Sequence, residues 1–323
     1  MSEFDFVENK ENNASEFEKS LETISAADIA PKKEKKGIRG GTVAFNIFRY
    51  GLLTAFISVF VYCSYNIVAE MIAYSRANDL YSDLAERFES DDFVTLDGDS
   101  MPLSKGKEPS RLPSFDEDSS DETEGPDVNS EGALARAKIE ELKKINPEAV
   151  GWIIIDGTNI SLPVAQADNN ETYLDIAFDG TQNWTGSIFM DYRNSSVTSK
   201  NKNTSLYGHN MEGGQMFSDV TKFLDEKFFY EHRYANLYTV EGIEVYEIFS
   251  IYKANETSNC ADVDFESGID FIDFCYEMQS NSIFYYDGVD FDEDDRLLTM
   301  VTCTNGDSKE RYVLQGKFVR LDS

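Results

Sequence analysis

Nucleophile–base chemistry has few places to reside in this chain, which holds only two histidines and four cysteines. Cys303 closes an apolar run in LLTMVTCTNGDSKERYVLQGKFV, and Arg311 opens the next β-rich run eight residues later. A free thiol has a pKa of about 8.5 and is only a few per cent thiolate at neutral pH. A nucleophilic cysteine therefore needs a partner, and a histidine can also protonate a leaving amine. Arg311 cannot be that acid, because a guanidinium stays protonated. It can hold a carbonyl or stabilise a developing oxyanion. The competing reading makes Cys303 a small buried hydrophobe at a strand end and Arg311 a surface hairpin charge.

The histidine is His209 or His232. His209 lies in SLYGHNMEGGQMF, where an apolar strand ends beside Gly208, Gly213 and Gly214. Gly208 loosens the backbone there, and a ring in that position can face a groove. His232 lies between Glu231 and Arg233 and reads as a solvated surface residue. Cys63 sits in a long apolar run and reads as inert. Cys260, Cys275 and Cys303 form no C-x-x-C pair, which argues against structural zinc. Three is odd, so at least one thiol stays unpaired. A Cys260–Cys275 disulfide is the less favoured alternative to free thiols. The acidic run DFDEDD before the Cys303 strand reads as a solvated loop rather than a calcium site. No Gly-rich phosphate loop or repeat is present, and the chemistry requires no metal or organic cofactor.

The elements that would position these groups lie in the second half. ALARAKIEELKKIN sets Leu134, Ile139 and Leu142 near one helical face, and Asn146-Pro147 ends that helix. From Val150 onward eight short β-rich runs alternate with turn signals, with helical stretches only near 215–230 and 265–280. That pattern predicts an antiparallel barrel or sandwich. A hairpin would bring Cys303 and Arg311 side by side.

The chain carries 60 acidic and 29 basic residues, a net charge of −31. Such a balance disfavours nucleic-acid binding, which draws on clustered Lys and Arg. The first thirty residues hold eight acids and few apolar residues, the composition of a disordered tail. Residues 50–69, YGLLTAFISVFVYCSYNIVA, contain no charge. In a helix, twenty residues at about 1.5 Å each span roughly 30 Å, the thickness of a bilayer core. Six Lys and Arg precede this run within twenty residues, and Arg76 is the only nearby base after it. The positive-inside bias predicts a cytoplasmic N-terminus and an external C-terminal part. Residues 86–131 carry fifteen acids, four bases and four prolines. They read as an extended, self-repelling spacer that holds the next domain away from the membrane.

The residues TMVTC at 299–303, followed by Arg311, resemble the TLxTC…R signature of sortases, with Met300 in place of the usual Leu. SLYGHNMEGGQMF resembles the histidine loop of class B sortases. LKKINPEAVGWIIIDGTNISLPVAQADNNETYL and GSIFMDYRN are similar to the helix-to-barrel region of that class, in the same order. The resemblance covers roughly residues 134–321. It implies a mainly β fold: a closed eight-stranded barrel with an N-terminal helix and short peripheral helices, preceded by one transmembrane helix. The corresponding division is a cytoplasmic tail (1–41), a transmembrane helix (42–69), an external helix and acidic linker (70–131) and a catalytic domain (132–323).

The resemblance also implies a cysteine transpeptidase at the outer face of a Gram-positive cell. Cys303 would attack the Thr carbonyl of a C-terminal sorting signal in a secreted protein, and an amine would resolve the thioacyl enzyme. His209 would handle the amine protons, and Arg311 would hold the Thr carbonyl or the peptide backbone. Asn170 and Leu174 would line the peptide groove, and Thr302 would help shape it. The amine would come from a peptidoglycan precursor or from a pilin lysine. Some class B members have an acid two positions after the cysteine; Asn305 stands there, so no acidic orienting role is assigned. Two readings compete. A papain-like protease fits poorly, because there the cysteine precedes the histidine near a helix start. A membrane-anchored, non-catalytic β-barrel binding module is the other.

Overall fold

A computed structural model describes residues 40–90, 130–211, 213–286, 288–303 and 309–323, with the backbone alone for 40–43 and Cys303. The expected disordered tail, most of the acidic spacer and Asn305 lie outside the described residues.

Helix α1 (Gly40–Glu89) is long and apolar enough to cross a membrane. The chain divides within it, and Ile67–Ser323 forms one compact unit. Up to Ile72 the large apolar side chains of α1 are exposed. Beyond that the pattern changes to a stripe: Ala77, Tyr81, Leu84 and Phe88 are buried at alternating four- and three-residue steps. Phe88 stacks flat on Trp152, ring centroids 4.2 Å apart. The folded unit therefore begins well before residue 132, the boundary expected from sequence. Residues 77–88, in the helix expected after the membrane run, pack into the main core.

Helix α2 (Glu131–Ile145) is N-capped by Ser130, whose hydroxyl accepts from the Ala133 N–H at 3.1 Å. It buries Ala135, Lys138, Ile139 and Leu142, with Leu134 at the edge of that face. Eight strands follow: β1 (Ala149–Ile155), β2 (Ser161–Ala165), β3 (Ile188–Met190), β4 (Asn203–His209), β5 (Tyr234–Thr239), β6 (Gly242–Asn255), β7 (Leu297–Cys303) and β8 (Glu310–Asp322). They close into a barrel in the order β1-β2-β3-β4-β7-β8-β6-β5. Helices α3 (Glu226–Glu231) and α4 (Gly268–Ser280) fall where helical stretches were expected.

The barrel is not purely antiparallel: β2 pairs β3, and β4 pairs β7, in parallel. Parallel neighbours need a crossover of a dozen or more residues. The segments between β2 and β3, and between β4 and β7, supply that length. A large core runs through the barrel and under α1 and α2, including Trp152, Ile153, Leu206, Met300 and Leu314. A second packs β6, β7 and β8 against α4 through Phe249, Phe274, Met278, Val301 and Val313.

Candidate active site

The parallel pairing of β4 and β7 creates the site. Their register runs from Asn203↔Leu297 to His209↔Cys303, so both strands end at the same edge with these two residues adjacent. Neighbouring strands lie about 4.8 Å apart. An antiparallel β7 would have put Cys303 at the opposite edge. β8 runs antiparallel to β7 with Val301 opposite Val313. The next step is clasped by the Thr302 hydroxyl, which accepts from the Tyr312 N–H at 2.9 Å. Continuing that register sets Cys303 opposite Arg311. His209 and Cys303 are thus neighbours at the ends of β4 and β7, and Arg311 lies at the start of β8, the strand next to β7. Leu297 and Val301 belong to the second core, whereas Leu298 and Met300 belong to the first.

A buried polar row holds these three strands in register. Thr299 donates to Asn203 Oδ1 at 2.7 Å and accepts from Gln315 Nε2 at 2.9 Å. Leaving any of these buried groups unpaired would cost about 1–3 kcal/mol, so a slipped register is disfavoured.

His209 Nε2 lies 2.6 Å from the Leu174 carbonyl oxygen. A carbonyl only accepts, so Nε2 carries the hydrogen and Nδ1 is the nitrogen left to exchange protons. After His209 the chain doubles back: Asn210 bridges to Met216, and the Phe217 N–H donates to the His209 carbonyl at 3.0 Å. Met216 takes φ 54°, the left-handed region that non-glycine residues rarely occupy. Gly208 serves packing rather than looseness, because a Cβ there would stand 2.3 Å from Ile188 Cδ1.

Helix α1 supports both flanks of His209. Tyr81 Oη donates to the Gly186 carbonyl at 2.7 Å, and the Phe178 N–H donates to Tyr81 Oη at 3.2 Å. Burial pushes the Tyr81 phenol up to about 12, so it stays protonated as a donor. Gly186, at φ 60°, lies so close to the Leu174 carbonyl that a Cβ would approach its oxygen to 2.7 Å. On the other flank, Gln215 Nε2 donates to Asn78 Oδ1 at 2.9 Å. Gly213 leaves room for the Tyr74 hydroxyl, which would otherwise meet a Cβ at 1.3 Å.

Beside the row sits a buried carboxylate. Asp191 Oδ2 accepts from Arg193 Nη2 at 2.7 Å, Tyr207 Oη at 2.8 Å and Asn170 Nδ2 at 3.1 Å. Its Oδ1 accepts from the Arg193 N–H and Nε, each at 2.9 Å. Burial alone would raise the carboxyl pKa, but the Arg193 and Tyr207 hydrogen bonds outweigh it and hold Asp191 below the ordinary carboxylate range. Arg193 also donates to the Ala261 carbonyl at 2.9 Å, joining β3 to the segment between β6 and β7. Tyr207 lies two residues before His209 on the same strand face.

Of the groove residues expected from sequence, Leu174 lies at the site through its carbonyl. Asn170 has both amide ends engaged: Nδ2 on Asp191, and Oδ1 accepting from the Tyr192 N–H at 3.0 Å. It ties the β2–β3 segment to the end of β3. Thr302 is fully buried, and its hydroxyl clasps the hairpin rather than lining a groove. Cys260 and Cys275 are free buried thiols, not a disulfide. Burial raises both thiols above their ordinary range, Cys275 to about 12, which makes them poor nucleophiles at neutral pH. His232 stacks on Phe228 with ring centroids 4.0 Å apart, away from the β4–β7 edge by topology. Sequence reasoning missed the Asp191 hub and the support from α1. The Asp-x-Arg spacing at the end of a three-residue strand was a usable signal for the first.

A cysteine paired with a histidine at one strand edge of a closed barrel, with an arginine starting the neighbouring strand, suits acyl transfer through a cysteine. The sortase-domain family matches residues 153–319. Sortase B of Listeria monocytogenes is 36% identical over 196 residues, covering 59% of this chain and 77% of that protein. The crystal structure of Clostridium perfringens sortase B aligns with TM-score 0.53 at 34% identity, covering 56% of this chain and 99% of that one. A Staphylococcus aureus sortase B–substrate complex aligns with TM-score 0.62 at 26% identity, covering 77% and 99%. The chain belongs to the sortase family, and within it to class B, as a cysteine transpeptidase.

Proposed function

We propose that this sortase is anchored by α1 with its N-terminus in the cytoplasm, and that it joins secreted proteins to a cell-wall amine at the outer face of the membrane. The observation that carries the catalytic reading is the pairing of His209 with Cys303 at the ends of β4 and β7, with Arg311 at the start of β8, the strand beside β7. The Cys303 thiolate attacks the Thr carbonyl carbon of a C-terminal sorting signal. The carbon–sulfur bond forms, the Thr carbonyl–nitrogen bond breaks, and protonated His209 gives its proton from Nδ1 to the leaving amine. An incoming amine then attacks the thioester, His209 takes its proton, and the thiolate is released. Arg311 offers guanidinium N–H groups to the carbonyl oxygen as charge develops on it.

The peptide groove runs along the outer face beside Leu174 and Asn170. Anchoring enzyme and substrate in one membrane raises their effective concentration without any further contact.

The test is a panel of sorting peptides incubated with the full chain and either a cell-wall peptide amine or a pilin lysine peptide. New amide product is expected with the cell-wall amine and none from Cys303→Ala. Product from Cys303→Ala would sink the cysteine mechanism. Preference for the pilin lysine would make the enzyme a pilin polymerase. A folded chain that binds a peptide without turning it over would favour a binding module.

A further inference from the structure

The chain has two tryptophans, and the structure treats them differently. Trp152 is fully buried under Phe88, whereas Trp184 is 46% exposed. Trp184 is nevertheless held firmly. Its indole stacks on Tyr74 of α1, centroids 6.2 Å apart, and the adjacent Asn183 donates to the Ala73 carbonyl at 3.0 Å. Trp184, Tyr74, Met71 and Ile67 line a mainly apolar cleft of about 570 Å³ along α1, with Glu70, Ser75 and Asn78 as its polar members. Met71 and Ile72 beside it are exposed. An apolar surface of this kind, fixed in shape and uncovered, marks a contact site rather than scattered exposure.

Its position along α1 identifies the occupant. The uncharged run ends at Ala69, and Tyr74 follows five residues later, about 7.5 Å along a helix. The headgroup layer on each side of a bilayer is roughly 5–7.5 Å deep, and Trp and Tyr concentrate there. One turn further on, Asn78 and Ser82 face a second cleft that mixes polar Asn159, Ser161 and Gln215 with apolar Ala85, Leu162 and Met216. The balance thus shifts from mainly apolar to mixed polar lining where the headgroup layer meets water.

We propose that Trp184 and the Tyr74 turn of α1 seat the catalytic unit directly on the lipid headgroup layer. This rests on α1 being the membrane anchor. The seating bears on catalysis because the β2–β3 segment that carries Trp184 also carries Leu174, the hydrogen-bond partner of His209. The enzyme would then work at a fixed height above the bilayer, set by Trp184, rather than at the end of a free spacer.

The experiment places the full chain in phosphatidylcholine nanodiscs, with and without a nitroxide on the lipid headgroups, and reads tryptophan emission. Trp184→Phe and Trp152→Phe each leave one tryptophan. Quenching by the headgroup nitroxide is expected in wild type and in Trp152→Phe, and should be lost in Trp184→Phe. If Trp152→Phe fails to fold, the difference between wild type and Trp184→Phe carries the same information. A chain that co-elutes with the nanodiscs while Trp184 stays unquenched and open to aqueous acrylamide overturns the seating alone. A chain that does not co-elute overturns the anchor, and the seating with it.

Discussion

The Leu174 carbonyl oxygen stands 2.6 Å from His209 Nε2, which assigns that nitrogen as the donor. Neutral His209 should therefore be the Nε2–H tautomer. Nitrogen NMR of a Cys303→Ala chain, with the thiol removed, should show a protonated Nε2 and a pyridine-like Nδ1 in the neutral ring. The reverse pattern would show that Leu174 does not set the tautomer.

Arg311→Lys should lower kcat/KM by about 10²-fold or more, the scale for loss of a positioned oxyanion donor. An ammonium is a point charge and cannot reproduce the planar fork of a guanidinium. The variant's melting temperature should hold close to wild type, because Arg311 lies at the start of β8. Near-native turnover would remove Arg311 from the mechanism.

Asp191→Asn should destabilise the fold by about 1.5–3 kcal/mol at neutral pH, since charge-assisted hydrogen bonds to Arg193 are weakened. The dependence on pH follows from the lowered carboxyl pKa of Asp191 in the folded state. Above the unfolded carboxyl pKa of about 3.9 the stabilisation is fully present. As pH falls through the folded value the carboxylate is protonated and the stabilisation is lost. Urea midpoints of wild type and Asp191→Asn should therefore converge on acidification below about pH 4. A gap independent of pH would mean that the charge of Asp191 is not what stabilises the hub.

A fragment starting at residue 132 should be much less stable than one starting at residue 67. It lacks Tyr81, Leu84 and Phe88, which are buried in the main core. Each such side chain contributes roughly 1.5–3 kcal/mol by burial. Loss of Phe88 should also expose the face of Trp152 and shift its emission to longer wavelength. Equal melting temperatures for the two fragments would show that α1 adds nothing to the core.

Cysteine and histidine are so scarce in the sequence that Cys303 and His209 stood out as candidates, and Arg311 followed from its place at the start of the next β-rich run. The sequence also carried the strand runs and the cap and stop of α2. It did not carry the direction of β7 relative to β4, because local alternation looks the same in parallel and antiparallel strands. The stripe of Ala77, Tyr81, Leu84 and Phe88 was hidden because Asn78, Asp79, Ser82, Asp83 and Glu86 are interleaved with it along the helix. The Leu174 acceptor was invisible for another reason: a backbone carbonyl has no residue signature. Gly208 was misread as flexibility, since a packing requirement set by Ile188 appears only in three dimensions.

If Cys303 is the acyl acceptor, it carries the acyl group before any amine arrives. The most direct measurement incubates the full chain with a sorting peptide and no amine, quenches in acid, digests, and reads the mass of the peptide that contains Cys303. An increment equal to the acyl part ending in Thr, on Cys303 and absent from Cys260 and Cys275, is the predicted result. A folded enzyme that forms amide product while the Cys303 peptide never carries that increment would contradict the account.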